Sequence, residues 1–217
     1  MRLGRSLFIL YELYPADIAC VEIDSLTGCD IDAINPTIRQ LVLLGDEFPE
    51  VAYQFQVLGT CLSVPNPYNI ASVDRRLSGM NLNPAYYEDA FCLWDTMQAN
   101  EREWWIPEGC GCIEYMATHE FAHSIDIWLT RCLERVSVCG RSGKACDVFT
   151  EWLGAHSLSN EISEQAEMNH HEFFAEAFAS YYHSPEPLES AKEVIGFVRA
   201  IVRQIRASVG EQDAMVA

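Results

Sequence analysis

From Ile113 to about Leu133 the chain offers no glycine and no proline, and inside that stretch stand His119, Glu120 and His123. A run with no breaker reads as one long helix. On a helix, positions i and i+4 share a face, so both imidazoles can reach one metal ion at about 2.0–2.1 Å. Glu120 is the next residue round from His119 and can reach the open coordination position. Two ligands plus a general base is the chemistry that the spacing His-Glu-x-x-His supports. Ile113, Met116, Ala117 and Ile125 are available to pack this helix into a core. Two helical histidines can also be merely buried and hydrogen-bonded, so the pattern needs a third ligand.

That ligand is available downstream. Glu172 opens the segment Glu172-Phe173-Phe174-Ala175-Glu176-Ala177-Phe178-Ala179. Glu172 and Glu176 are again i and i+4, on a helix that is otherwise apolar. A buried carboxylate requires a partner. One of the pair can bind zinc, and the other can accept a hydrogen bond from the far ring nitrogen of a ligating histidine.

Charge and cysteine usage narrow the partners. The formal net charge is −18. Such a surface repels phosphate backbones and disfavours nucleic acid. It favours basic peptides if the charge is concentrated at the site. Hydrophobic residues make up 49% of the 217, enough for one well-packed domain. Arg2 and Arg5 precede an apolar stretch that Glu12 ends too early for a signal-peptide core. No run approaches the roughly 20 apolar residues of a membrane helix, so a cytoplasmic protein is expected. The nine cysteines are odd in number and irregularly spaced, which suits reduced thiols better than a disulfide framework. Cys139 and Cys146, across a Gly-Arg-Ser-Gly turn, are the one local pair that could form a bridge.

Residues 5–12 and 17–24 read as short strands. Asn35-Pro36 reads as the cap and first position of a helix that runs to Leu44. Residues 51–58 read as a strand and 62–80 as loop. Residues 81–87 (NLNPAYY) read as an extended edge segment, because Pro84 cannot donate to a central ladder. Helices are expected over 88–100, 145–155, 171–182 and 188–208. The last carries an apolar stripe of Val194, Ile195, Val198, Ile201, Val202 and Ile205 that is expected to pack on its own domain. Residues 138–144 and 157–170 read as irregular.

The motif HEFAH followed by EFFAEAFA resembles the anthrax lethal factor type of zinc peptidase and a group of phage-associated metallopeptidase domains, both gluzincins. LNPAYY (Leu82 to Tyr87), with Trp105, Pro107 and Gly109, resembles the phage-associated group. The resemblance covers about residues 80–183. It implies a Zn2+ cofactor held by His119, His123 and Glu172, with Glu120 as base and Glu176 behind a ligand. It further implies substrate peptide adding along the edge segment at Leu82, Asn83, Ala85 and Tyr86. Ala122 stands where these families usually have glycine. Gln165 stands where they tend to have a tyrosine that supports the oxyanion, so Gln165 becomes a weaker candidate donor. Tyr115, Tyr181, Tyr182, His170, His171 and His183 are other polar groups near the motifs in sequence. His170 or His171 could serve as a spare ligand.

The expected fold is α+β and zincin-like: a small mixed sheet with an edge strand, the histidine-bearing helix beneath, and a helical C-terminal half. Residues 1–217 form one domain, with 1–79 an elaboration, 80–183 the core and 184–217 a final helix. The expected function is a zinc-dependent metallopeptidase acting on restricted protein substrates, without nucleic acid or membrane. The alternatives are a zinc-binding interaction module with weak or no turnover, or a hydrolase of a non-peptide amide such as a cell-wall bond.

Overall fold

The computed structural model describes residues 21–22, 26, 28–52, 56–58, 69–74, 79–135 and 161–216. The strands expected over 5–12, the helix over 145–155, the loop over 138–144 and the Cys139–Cys146 pair lie outside these residues. In chain order the elements are β1 (Val21–Glu22), α1 (Ile31–Glu47), α2 (Pro49–Ala52), β2 (Gln56–Leu58), β3 (Ala71–Asp74) and β4 (Gly79–Leu82). There follow α3 (Pro84–Tyr87), α4 (Ala90–Arg102), α5 (Ile113–Arg135), a 3-10 turn (Gln165–Glu167), α6 (His170–His183) and α7 (Glu189–Val216). The class is α+β, mostly helical with one small sheet. No helix among the described residues is long and apolar enough to cross a membrane.

The sheet has four strands in the order β1-β2-β4-β3. β1 and β2 are parallel, β2 and β4 are parallel, and β3 runs antiparallel to β4 with Val73 opposite Met80. This corrects the expected edge. Among the described residues β4 is an interior strand and the two edges are β1 and β3, the latter in a stretch read as loop. The segment 81–87 is not extended throughout either. Asn83 accepts from Ala85 N at 3.1 Å and caps α3, with Pro84 at its first position. An Asn-Pro pair favours this geometry over a strand. Residues 51–58 divide in the same way, into the end of α2 and the three residues of β2.

The same Asn-Pro reading fails at Asn35-Pro36. α1 begins earlier, at Ile31, with Asp30 as its cap, and Pro36 lies inside the helix. Asp30 uses both carboxylate oxygens, one on Asp32 N and the other on Ala90 N, each at 3.1 Å. Its own N–H donates to Tyr87 O at 2.6 Å. The helix start is thereby tied to the α3–α4 corner, and these contacts outweigh the one ladder bond that proline removes.

α5 is the central element. Tyr115, Ala117, Thr118, Phe121, Ala122, Ile125 and Leu129 are all buried, so the helix is covered on most of its circumference. α1 packs on one flank and α6 on another. Its entry is held by Glu101, whose two oxygens accept from Gly109 N at 2.8 Å and Gly111 N at 2.7 Å. Gly109 sits at φ +79, and a Cβ there would strike the Pro185 ring. α6 begins at His170, one residue before the expected start, because Asn169 caps it by accepting from His171 N and Glu172 N. Phe48, Phe121 and Phe178 bring α1, α5 and α6 together, with ring centroids 6.0 Å apart for Phe48–Phe178 and 6.5 Å for Phe48–Phe121. α7 lays Val194, Ile195, Val198, Ile201 and Val202 into the core, and its stripe does pack on its own domain. Arg199 pairs with Glu47 at 2.7 Å and so links α7 to α1.

Residues before 80 are thus built into the same body as the motifs, since they supply three of the four strands and the helix packed against α5. Phe178 is fully buried at the junction of three helices. Phe178→Ala is expected to cost about 3–5 kcal/mol of unfolding free energy, read from urea denaturation of the metal-free protein.

Candidate metal centre

α5 and α6 meet where their polar residues face each other. His119 Nε2 and His123 Nε2 are 3.1 Å apart. Glu172 Oε2 lies 3.3 Å from the first and 3.6 Å from the second. These three residues form a group that could hold a metal ion, with one nitrogen from each histidine and one carboxylate oxygen. The i, i+4 spacing on α5 aligns the two rings, and the first turn of α6 delivers the carboxylate.

Glu176, one turn after Glu172, is fully buried. Its Oε1 lies 2.8 Å from His119 Nδ1, at ion-pair distance but bent away from a linear hydrogen bond. Its Oε2 accepts from the Ser163 hydroxyl at 2.7 Å. Glu176 therefore backs His119, on the side of the ring away from the other ligands.

The electrostatics follow from this crowding. Burial works against a charged His119, but Glu172 and then Glu176 outweigh it and hold its pKa well above the ordinary value. Burial alone would raise Glu172, but the two imidazoles overcome it and keep its carboxyl far below the usual carboxylate range. Burial pushes Glu120 up, opposed by His119 and His123. The backbone amide of Val73 also favours the charged form of Glu120, which places the open side of β3 against the base.

His119, Glu120, His123, Glu172 and Val73 border a cleft of about 900 Å³, while Glu176 lies behind it. Its walls are Ile70 and the β3 residues Ala71, Ser72 and Val73 on one side, and α5 with the start of α6 on another. Trp105, Ile106, Met97, Met116 and Met168 make part of the lining apolar. Among the described residues, the charged groups Glu103, Glu120, Asp126, Glu164 and Glu172 line it against a single arginine, Arg131.

His119, Glu120, His123, Glu172 and Glu176 are brought together here. The expected substrate residues are not brought together in the same way. Leu82 and Asn83 are buried, Ala85 faces away to solvent, and only Tyr86 reaches the cleft. Asn83 instead secures β3, donating from Nδ2 to Asn69 O at 2.8 Å and from its backbone to Ile70 O at 3.0 Å. Gln165 borders the cleft, but its amide donates to Glu172 Oε2 at 3.0 Å rather than standing open to a substrate. His171 pairs with Asp126 at 2.7 Å, and both line the cleft. His183 lies behind α5, 2.7 Å from Thr118 Oγ1, and burial depresses its pKa to about 4. Tyr182 donates to Glu47, Tyr181 sits by Arg199, and Tyr115 is fully buried beside His119.

Ser163, Asp126 and Val73 escaped the sequence reading. Asp126 carried a signal, because it follows His123 by three and His119 by seven, one face of the same helix. Ser163 and Val73 carried none, since both act from segments with no recognisable spacing to the motifs. No protein-family model matches the chain, and no curated protein or solved structure matches it.

Proposed function

We propose that this chain is a zinc-dependent peptidase with a zincin-like active site of the gluzincin kind. The observation that carries the reading is the triangle of ligand atoms. With bonds of about 2.0–2.1 Å, tetrahedral zinc sets its ligand atoms about 3.3–3.4 Å apart. The three edges here are 3.1, 3.3 and 3.6 Å. Two imidazole nitrogens and one carboxylate oxygen suit zinc in a catalytic site, which takes three protein ligands and keeps one position open.

Bound zinc would supply Lewis acidity, bringing the pKa of a water down toward about 7 and polarising the scissile carbonyl. Glu120 takes the proton as water attacks, then passes it to the departing amine nitrogen. The buried setting of Glu120 raises its proton affinity, which suits both transfers. The open side of β3 can pair with the main chain of an extended peptide and hold it over the base. Tyr86 and His171 border the same cleft and could donate to the developing oxyanion. Among the described residues, five lining carboxylates against one arginine favour a basic peptide.

The test is metal content together with metal-dependent hydrolysis. The purified protein is expected to hold about one zinc per chain, and a chelator should abolish cleavage of basic peptides until zinc is restored. Protein that takes up no zinc after reconstitution would sink the reading. A second reading is zinc binding with little turnover. It is favoured by Gln165, whose amide is committed to Glu172 and is not an acid comparable to tyrosine. Stoichiometric zinc without cleavage of any peptide would select it, and cleavage of cell-wall fragments alone would select a non-peptide amide.

A further inference from the structure

We propose that the turn carrying Ser163 and Gln165 is a positioning device that clamps the metal ligands from outside, Gln165 on Glu172 and Ser163 on Glu176. The inference rests on the triad binding zinc as proposed above. It reassigns Gln165 from transition-state donor to ligand support.

Gln165 Nε2 lies 3.0 Å from Glu172 Oε2. That is the same oxygen that faces both imidazole Nε2 atoms, at 3.3 and 3.6 Å. An amide meets a carboxylate oxygen favourably only through its N–H, so the orientation of Gln165 follows from its partner. The contact fixes which oxygen of Glu172 is turned toward the histidines.

Ser163 acts on the other carboxylate. It is fully buried, as is Glu176. Its Oγ accepts from Ala166 N at 3.2 Å. The hydroxyl proton is then left to donate to Glu176 Oε2, at 2.7 Å. Held in this way, Glu176 turns Oε1 to His119 Nδ1 at 2.8 Å. A carboxylate facing Nδ1 keeps the proton on that nitrogen and leaves the Nε2 lone pair for a metal.

The two donors stand two residues apart on one turn, and that turn is anchored. Glu164 N donates to Trp104 O at 3.0 Å and Gln165 N to Trp105 O at 3.4 Å. The backbone that forms the rim of the cleft therefore sets the positions of both clamps.

The test compares wild type, Gln165→Met, Ser163→Ala and Ser163→Thr as full chains. Zinc affinity is read by chelator competition, and ligand geometry by the visible spectrum after cobalt substitution. Gln165→Met and Ser163→Ala are each expected to weaken zinc about tenfold, the scale of losing an outer hydrogen bond. Ser163→Thr keeps the hydroxyl and should restore most of that affinity. The cobalt bands of Gln165→Met should shift, which a purely structural role would not cause. Unchanged zinc affinity and cobalt bands in Gln165→Met, with kcat reduced, would overturn the assignment and make Gln165 a transition-state donor. Unchanged affinity in Ser163→Ala would remove Ser163 from the device. If Ser163→Ala does not fold, Gln165→Met decides, since Gln165 is only partly buried. A wild type that binds zinc while both variants match it defeats this inference alone. A wild type that binds none defeats the zinc reading and this inference with it.

Discussion

Glu120→Gln is expected to lower kcat for peptide hydrolysis by about 10²–10⁴-fold while zinc content stays near wild type. Glutamine has the size of glutamate and can still hydrogen-bond, but it cannot take a proton from water. Glu120 is not one of the three grouped ligands, so the metal triangle survives the change. Burial works against the charged form of Glu120, so removing the charge should not lower thermal stability. The measurements are kcat at saturating peptide, metal content and melting temperature. Full activity in this variant would place the base elsewhere. Lost zinc would instead make Glu120 a ligand.

The ligand variants are expected to separate binding from folding. Glu172→Ala should weaken zinc by more than about 100-fold, beyond what loss of an outer contact costs. His119→Ala should do the same and also destabilise the metal-free fold by about 3–5 kcal/mol, because it strips the histidine partner from fully buried Glu176. Glu172 retains access to solvent, so its removal should cost the fold less.

The pH dependence of the metal-free protein follows from the same contacts. The raised His119 pKa contributes stability that is complete below its ordinary 6.5 and is lost as pH rises through the folded value. The depressed Glu172 pKa contributes stability that is present above its ordinary 4.5 and is lost as pH falls through the folded value. Both contributions are therefore whole between pH 4.5 and 6.5. Denaturant midpoints across pH, for wild type and Glu172→Ala, read this directly. A wild-type midpoint that does not fall on either side of that window, or a variant with the wild-type profile, would mean that the pair does not stabilise the fold.

How much of this was legible in the sequence depends on whether the cause was local. His119, His123, Glu172 and Glu176 are placed by helical periodicity, which adjacent residues impose on one another through the backbone. Four positions along a helix bring side chains to one face whatever the rest of the chain does. The same holds for the apolar stripe on α7. The spacing could say that two faces exist. It could not say that they would meet.

Only the tertiary structure decided the rest, because the partners are distant in sequence. Asp30 displaced Asn35 as the cap of α1 through contacts to Tyr87 and Ala90. β3 became the edge because β4 pairs with β2 on its other side, a choice made by long-range pairing rather than by Pro84. Gln165 turned to Glu172 because its turn is anchored to Trp104 and Trp105. A local pattern fixes which way a side chain points on its own helix. What it points at depends on packing between elements that the pattern does not contain.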